Sequence, residues 1–193
     1  MSSHKEIEVK FRVKNVPELT RNLRRAGFRL VSRRTHELNT LYDWPDHRLQ
    51  KRGELLRLRE YGPEWWLTHK AKGARGRHKT RIETETRVCD GKKMTAILES
   101  LGFAPSFRYE KFRAEWSDGK GQVVVDQTAI GDFGEIEGGP RWIDRVAKKL
   151  GIRRQDYITD TYAELFFQWK RGSDSRAKEM TFKAVGKRPK AKG

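Results

Sequence analysis

The chain has 193 residues, of which 36% are charged and 35% hydrophobic. This length fits one domain of ordinary size with material for a core. Lysine and arginine outnumber aspartate and glutamate by 43 to 26, and the formal net charge of +17 predicts an anionic partner. The single cysteine excludes an intrachain disulfide, and no apolar run has the length of a signal peptide or a membrane span. We therefore expect a cytoplasmic protein without membrane contact.

The first predicted strand, residues 5–13, sorts its side chains by polarity. Glu6, Glu8, Lys10 and Arg12 alternate with apolar residues, so one face carries charges of both signs and the other is apolar. The same charged alternation returns later, at Arg81, Glu83, Glu85 and Arg87 and at Glu135 and Glu137. We interpret this repetition as a sign of one shared polar interior.

Strands and helices follow along the chain without regular alternation. The pattern predicts eight strands, over residues 5–13, 28–42, 54–61, 64–72, 80–89, 103–116, 122–128 and 130–138. It predicts helices over residues 17–26, 91–101, 140–150 and about 160–169. Because several strands follow one another directly, the order favours an antiparallel α+β fold over a doubly wound one.

The charged strand faces allow two arrangements. They can meet solvent, with the apolar faces forming the core of an open sheet. Eight strands can also close into a barrel whose lumen collects the charged side chains, which then need anions and cations to fill the space between them. The recurrence of the pattern favours a closed eight-stranded antiparallel β-barrel, with helices packed outside on the apolar faces.

Several motifs carry a resemblance to a known family. Glu6-Ile7-Glu8-Val9-Lys10 resembles the signature that opens the CYTH superfamily, the triphosphate tunnel metalloenzymes, which include class IV adenylate cyclases, thiamine triphosphatases and inorganic triphosphatases. Further segments resemble the family's later motifs in the same order: residues 39–43, 56–59 and 67–70, Arg81 with Glu83, Lys111 with Arg113, Asp126, residues 133–137 and residues 161–165. The resemblance runs from residue 5 to about residue 167, and it implies a triphosphate tunnel domain over residues 1–169.

The resemblance also implies a triphosphate held by cations beside a divalent metal ion. The substrate-binding candidates are Lys10, Arg57, Arg59, Lys70, Arg81, Lys111 and Arg113, of which the first four are also the catalytic candidates. Guanidinium forks suit phosphate oxygens. Mg²⁺ or Mn²⁺ takes oxygen ligands, and the metal candidates are Glu6, Glu8, Asp126, Glu135 and Glu137. For Glu83 and Glu85, neutralising a nearby arginine is as good an interpretation as a role in the site.

Two reactions suit such a tunnel. Water attacking the terminal phosphorus gives hydrolysis, whereas a ribose hydroxyl attacking the innermost phosphorus gives a cyclic nucleotide. Leu55 stands where the family's thiamine triphosphatases have a tryptophan, and the His-Phe pair of enterobacterial cyclases is absent from residues 1–5. We therefore expect metal-dependent hydrolysis of inorganic tripolyphosphate or a nucleoside triphosphate. The alternative is a class IV adenylate cyclase that converts ATP to cyclic AMP and pyrophosphate.

The C-terminal segment from Lys170 onward has nine basic and two acidic residues and no long apolar period. We expect residues 170–193 to be a basic, disordered tail, able to contact nucleic acid or polyphosphate weakly. A module that binds polyphosphate or RNA without catalysis is a second alternative function. Inward carboxylates argue against it, because binding a polyanion needs no anionic side chains.

Overall fold

The computed structural model of the chain describes residues 3–189. Within them the strands are β1 Ser3–Val13, β2 Arg29–Asp43, β3 Leu55–Tyr61, β4 Glu64–Lys70, β5 Ala74–Arg75, β6 Lys79–Val88, β7 Ala104–Ser117, β8 Gln122–Thr128 and β9 Gly131–Glu137. The helices are α1 Val16–Arg25, α2 Arg48–Arg52, α3 Gly91–Ser100, α4 Pro140–Lys149, α5 Tyr162–Arg171 and α6 Phe182–Val185, with a 3-10 turn at Arg154–Asp156. None of these helices has the length and apolar character needed to cross a bilayer.

Eight of the strands close into a barrel. Their order is β1, β9, β8, β7, β2, β3, β4 and β6, and β6 pairs back with β1. Each neighbouring pair is antiparallel, and the two-residue β5 pairs only with the start of β6. Closure leaves the barrel strands without an open edge. The predicted eight-stranded antiparallel barrel with outer helices is therefore confirmed.

The apolar face of β1 lies on the outside of the barrel, under two helices. Val9 and Phe11 are buried in one core cluster with Leu19 and Leu23 of α1 and with four residues of α4. The end of the Phe11 ring lies against Gly134 of β9, where any Cβ would overlap it. This packing leaves the charged face of β1 no direction but inward.

The segment after α5 differs from the disordered tail expected from Lys170. Met180 is fully buried and Phe182 nearly so, in a second core cluster that also contains Tyr109. The Met180 carbonyl accepts the amide of Glu110 at 3.1 Å, so this segment is tied to β7. Its apolar residues are single and aperiodic, which is why composition indicated disorder. Residues 190–193 of the predicted tail lie outside the described residues.

Candidate active site

A cavity of about 340 Å³ lies inside the barrel, and we call it the tunnel. Side chains from seven of the eight barrel strands line it. The structure brings together every predicted cation and four of the five predicted carboxylates: Lys10, Arg57, Arg59, Lys70, Arg81, Lys111, Arg113, Glu6, Glu8, Glu135 and Glu137. The sorting of charge along single strands thus produces one polar interior for most of the alternating residues. Arg12 and Arg87, at the ends of their strands, are instead exposed and do not line the tunnel.

Strand register places like charges side by side at one part of the tunnel. β1 and β9 pair so that Glu8 stands opposite Glu137 and Lys10 opposite Glu135. Opposed residues of an antiparallel pair are close neighbours, and two carboxylates in that position repel each other. The Glu8 and Glu137 pair is therefore unfavourable unless cations lie nearby.

Lysines neutralise most of these carboxylates. Lys10 Nζ lies 2.9 Å from Glu8 and 3.2 Å from Glu135. Lys79 Nζ donates to Glu8 at 3.1 Å, and Lys70 Nζ donates to Glu6 at 2.7 Å. Although burial alone would raise it, Lys10 and Lys79 hold the pKa of Glu8 well below its ordinary value.

Glu137 is the exception among the four. Within residues 3–189 its carboxylate has neither a hydrogen bond nor an ion pair. Burial, followed by the charges of Glu6 and Glu8, raises the pKa of Glu137 to about 7. Glu6, Glu8 and Glu135 are each paired with a lysine or arginine, and Glu137 is the one of the four without such a partner among the described residues.

The donor set fits a hard divalent cation. Mg²⁺ and Mn²⁺ take carboxylate oxygens, and Glu6, Glu8, Glu135 and Glu137 supply them from two adjacent strands. Among the described residues no three His, Cys, Asp or Glu side chains are already grouped as a metal site; lysines pair with Glu6 and Glu8 instead. A cation beside Glu137 would supply the positive charge that this residue lacks.

Asp126, the fifth predicted metal ligand, lies behind the tunnel wall. It is fully buried, and its carboxylate accepts Lys111 Nζ at 2.9 Å, Arg113 Nε at 2.7 Å and the Tyr162 hydroxyl at 2.6 Å. With both oxygens engaged, it is placed to orient Lys111 and Arg113 rather than to bind a metal directly. The spacing of residues in the sequence could not reveal this role of Asp126, because its partners lie on β7 and α5, far from it along the chain.

Three arginines that line the tunnel keep unused donors. The Nε atoms of Arg57, Arg59 and Arg81 are buried and have no hydrogen-bond partner. Arg59 Nη2 donates to Glu85 at 3.0 Å, and Arg57 Nη2 donates to Thr68 at 3.2 Å. Buried donors are seldom left unpaired in proteins. These three N–H groups are therefore suited to donate hydrogen bonds to an anionic ligand in the tunnel.

Glu83 and Glu85, which the sequence left between two interpretations, both line the tunnel. Glu85 bonds to Arg59, and Glu83 lies 2.8 Å from Lys70 Nζ. Although burial alone would raise it, Lys70 and Arg57 lower the pKa of Glu83. Both glutamates thus neutralise neighbouring cations, which is the plainer of the two interpretations.

Two buried residues of the site were not indicated by the sequence. Lys79 precedes the strand that the pattern predicts over residues 80–89, whereas in the structure it begins β6 and points inward like Arg81. Burial and then Lys10 lower the pKa of Lys79 to about 8. Glu37 of β2 is fully buried, with Lys111 Nζ at 3.4 Å and Arg113 Nε at 3.8 Å. Glu37 lies behind these two cations, and no pattern in the sequence indicates that it contacts them.

A second cavity, of about 350 Å³, adjoins the tunnel. The two share Leu55, Arg81 and Thr161 as lining residues. The second cavity adds apolar side chains, among them Leu41 and Phe167. It offers room for an uncharged group beside the charged lumen.

Comparison with known proteins agrees with this geometry. The family model of the CYTH domain matches residues 4–185. A Methanocaldococcus jannaschii protein, named as a candidate adenylate cyclase, is 26% identical over 171 residues, covering 83% of this chain and 97% of that relative. A structure of a candidate adenylate cyclase from Vibrio parahaemolyticus superimposes with a TM-score of 0.77 at 21% identity, covering 86% of this chain and 99% of the other.

A third comparison extends the range of activities found on this fold. A Hippeastrum protein, described as a candidate adenylyl cyclase with a dominant triphosphatase activity, superimposes with a TM-score of 0.61. It is 18% identical and covers 87% of this chain and 96% of its own, so the likeness is one of fold. The family match takes in nearly the whole sequence and includes the segment around Met180. The chain therefore belongs to the CYTH domain family.

Proposed function

We propose that the protein is a metal-dependent enzyme that hydrolyses a triphosphate, either inorganic tripolyphosphate or a nucleoside triphosphate, inside the tunnel. The observation that carries this proposal is that one cavity holds both carboxylates and cationic donors without partners. Four carboxylates gather where β1 and β9 pair, with Glu137 lacking a cationic partner among the described residues, and buried arginine donors without partners face the same cavity. A divalent cation would supply positive charge beside the carboxylates. A chain of phosphates would supply acceptors for the unpaired arginine donors.

The cations hold the phosphate chain in this scheme. Arg57, Arg59 and Arg81 donate from their unpaired Nε atoms, and charge-assisted bonds of this kind are the stronger ones. Lys10 and Lys70 exchange carboxylate oxygens for phosphate oxygens, which frees the glutamates that they now neutralise. Lys111 and Arg113 stay oriented by Asp126 and Glu37 and stabilise charge on the phosphate that is transferred.

The carboxylates would hold Mg²⁺ or Mn²⁺ through Glu6, Glu8, Glu135 and Glu137. When bound, the ion supplies Lewis-acid stabilisation of the phosphoryl oxygens. The side chains set the direction of attack, because the guanidinium groups align the phosphate chain along the tunnel.

The single cysteine favours a reducing compartment, and we propose that this compartment is the cytoplasm.

Adenylate cyclase is the second candidate. The Methanocaldococcus jannaschii relative is named as a candidate for that activity, and the second cavity has room for a nucleoside beside the tunnel. In this reaction the ribose hydroxyl attacks the innermost phosphorus and pyrophosphate leaves. Binding without catalysis is disfavoured, because a phosphate-binding module has no use for four converging glutamates.

Product analysis separates these functions. Purified protein is incubated with ATP, tripolyphosphate and thiamine triphosphate, each with Mg²⁺, with Mn²⁺ and with excess chelator. We expect orthophosphate from tripolyphosphate or ATP, no turnover with chelator, and little from thiamine triphosphate because Leu55 offers no ring for stacking. Cyclic AMP with pyrophosphate would establish the cyclase instead. Tight tripolyphosphate binding without any product would contradict both enzymes.

A further inference from the structure

The tunnel does not account for the net charge of +17. Eight lysine and arginine side chains line it together with seven glutamates. Glu37 and Asp126, buried behind the wall, raise the number of carboxylates to nine. Because these opposite charges nearly cancel, the positive excess lies elsewhere on the molecule.

Part of the excess lies on the helices that cover β1, where α1 and α4 together carry seven lysine and arginine residues against Glu18 and Asp144. We define the α1–α4 basic face by five exposed cations that, within the described residues, have no carboxylate within 4.0 Å: Arg21, Arg25, Arg141, Arg145 and Lys148. The two helices form one surface, since both pack on the same core cluster and Lys149 Nζ donates to the Ala26 carbonyl at 2.8 Å.

Helix stability does not explain this face. Cations in the last turn of a helix are favourable, which suits Arg25 and Lys148. Arg141, however, lies in the first turn of α4, where the helix dipole disfavours positive charge and no acidic residue compensates. Arg141 and Arg145 are also four residues apart, a repulsive spacing for like charges, and Arg21 and Arg25 repeat it. An anion bound at this face would relieve both penalties.

We propose that the α1–α4 basic face binds the phosphate backbone of double-stranded nucleic acid. Along α4, Arg141, Arg145 and Lys148 follow one another at about 6 and 4.5 Å, from the helical rise of about 1.5 Å per residue. They share the side opposite the buried Trp142 and Ile143. Such a rigid row of charges complements a stiff backbone with regularly spaced phosphates.

The chemistry of the face disfavours proteins, membrane surfaces and single-stranded nucleic acids as the partner. Among the described residues, the exposed large apolar side chains are Leu30, Val31, Ile82, Ile97, Leu101 and Phe167, and none lies on α1 or α4. Protein interfaces and membrane-surface helices use apolar anchors, and single-stranded nucleic acids stack on aromatic side chains. A face with charges alone suits backbone contacts, which are independent of base sequence.

Fluorescence anisotropy with a labelled 20-base-pair duplex of arbitrary sequence tests this proposal on the full chain. The triple variant R21Q/R141Q/R145Q removes three charges from the face. The matched control, K51Q/R52Q/K92Q, removes three exposed charges from α2 and α3. Thermal midpoints of all three proteins show that each is folded. Affinity is measured at several salt concentrations, because each phosphate contact contributes about −0.9 to the slope of log K against log salt.

We expect the face variant to bind the duplex at least about tenfold more weakly, with a salt slope smaller by about 2.7, while the control changes by less than about threefold. Equal losses in the two variants would overturn the proposal in favour of diffuse charge. It would also fail if the wild-type protein bound polyglutamate, or vesicles containing anionic lipid, more tightly than the duplex. If the wild-type protein shows no measurable binding to the duplex at low salt, the proposal is contradicted.

Discussion

Replacing Glu137 by glutamine should lower metal-dependent turnover about 100-fold, or about 2.7 kcal/mol in transition-state stabilisation, without destabilising the barrel. Glutamine keeps the size of the side chain but removes an anionic metal ligand. The charge of Glu137 is unfavourable in the metal-free fold, because burial and the neighbouring Glu6 and Glu8 raise its pKa to about 7. The thermal midpoint in chelator at pH 8 should therefore stay the same or rise slightly, while the concentration of Mg²⁺ or Mn²⁺ needed for half-maximal turnover increases.

Glu115→Gln provides the matched control for this variant. Glu115 lines the same tunnel, and its carboxylate accepts the Tyr61 hydroxyl at 3.2 Å, away from the Glu8 and Glu137 pair. Its metal titration should match that of the wild-type protein. If Glu115→Gln and Glu137→Gln shift the titration equally, the metal is not held where β1 and β9 pair. If Glu137→Gln lowers the thermal midpoint and leaves the titration unchanged, the carboxylate has only a structural role.

Replacing Arg59 by alanine should raise KM for tripolyphosphate and lower kcat/KM by roughly ten- to more than a hundredfold. Loss of a charge-assisted hydrogen bond costs roughly 1.5 to 3 kcal/mol. Arg59 has an unpaired buried Nε, and its Nη2 is held by Glu85 at 3.0 Å, so its fork is oriented before substrate arrives. Arg59→Lys keeps the charge without the fork and should fall between the wild-type protein and Arg59→Ala. Steady-state kinetics over a range of tripolyphosphate concentrations measures both constants.

Arg87→Ala is the control for the arginine series. Arg87 lies near the end of β6, is exposed, and pairs with Glu64 at 3.1 Å outside the tunnel. Its kinetic constants should stay within about twofold of the wild-type values, as expected for an exposed ion pair. A folded Arg59→Ala variant whose KM and kcat equal those of Arg87→Ala would mean that the tunnel arginines form only a lattice of ion pairs.

The strand faces were predictable from the sequence because alternation on a strand has a strict period of two. Once Glu6 and Glu8 share a face, their direction follows from Val9 and Phe11, which must be buried under helices. Barrel closure followed from the number of such strands. These properties depend on residues close together in sequence, so they can be inferred without the fold.

Other features depend on contacts between distant segments. Asp126 has the residue type of a metal ligand, but its oxygens are taken by side chains from β7 and α5. Glu37 acts through Lys111, which reaches it only across the β2 and β7 pair. Met180 packs on Tyr109 with no periodic pattern around it, so composition indicated disorder instead. No local pattern specifies such tertiary contacts.

The position of the metal relative to the phosphate chain is the most direct test of the tunnel chemistry. Crystals grown with tripolyphosphate and Mn²⁺ would be measured at a wavelength where manganese scatters anomalously. We expect the anomalous peak inside the barrel, bounded by the carboxylates of Glu8 and Glu137, with phosphate density reaching Arg57 and Arg59. Manganese on the outer surface, or tripolyphosphate bound outside an empty tunnel, would contradict the proposed site.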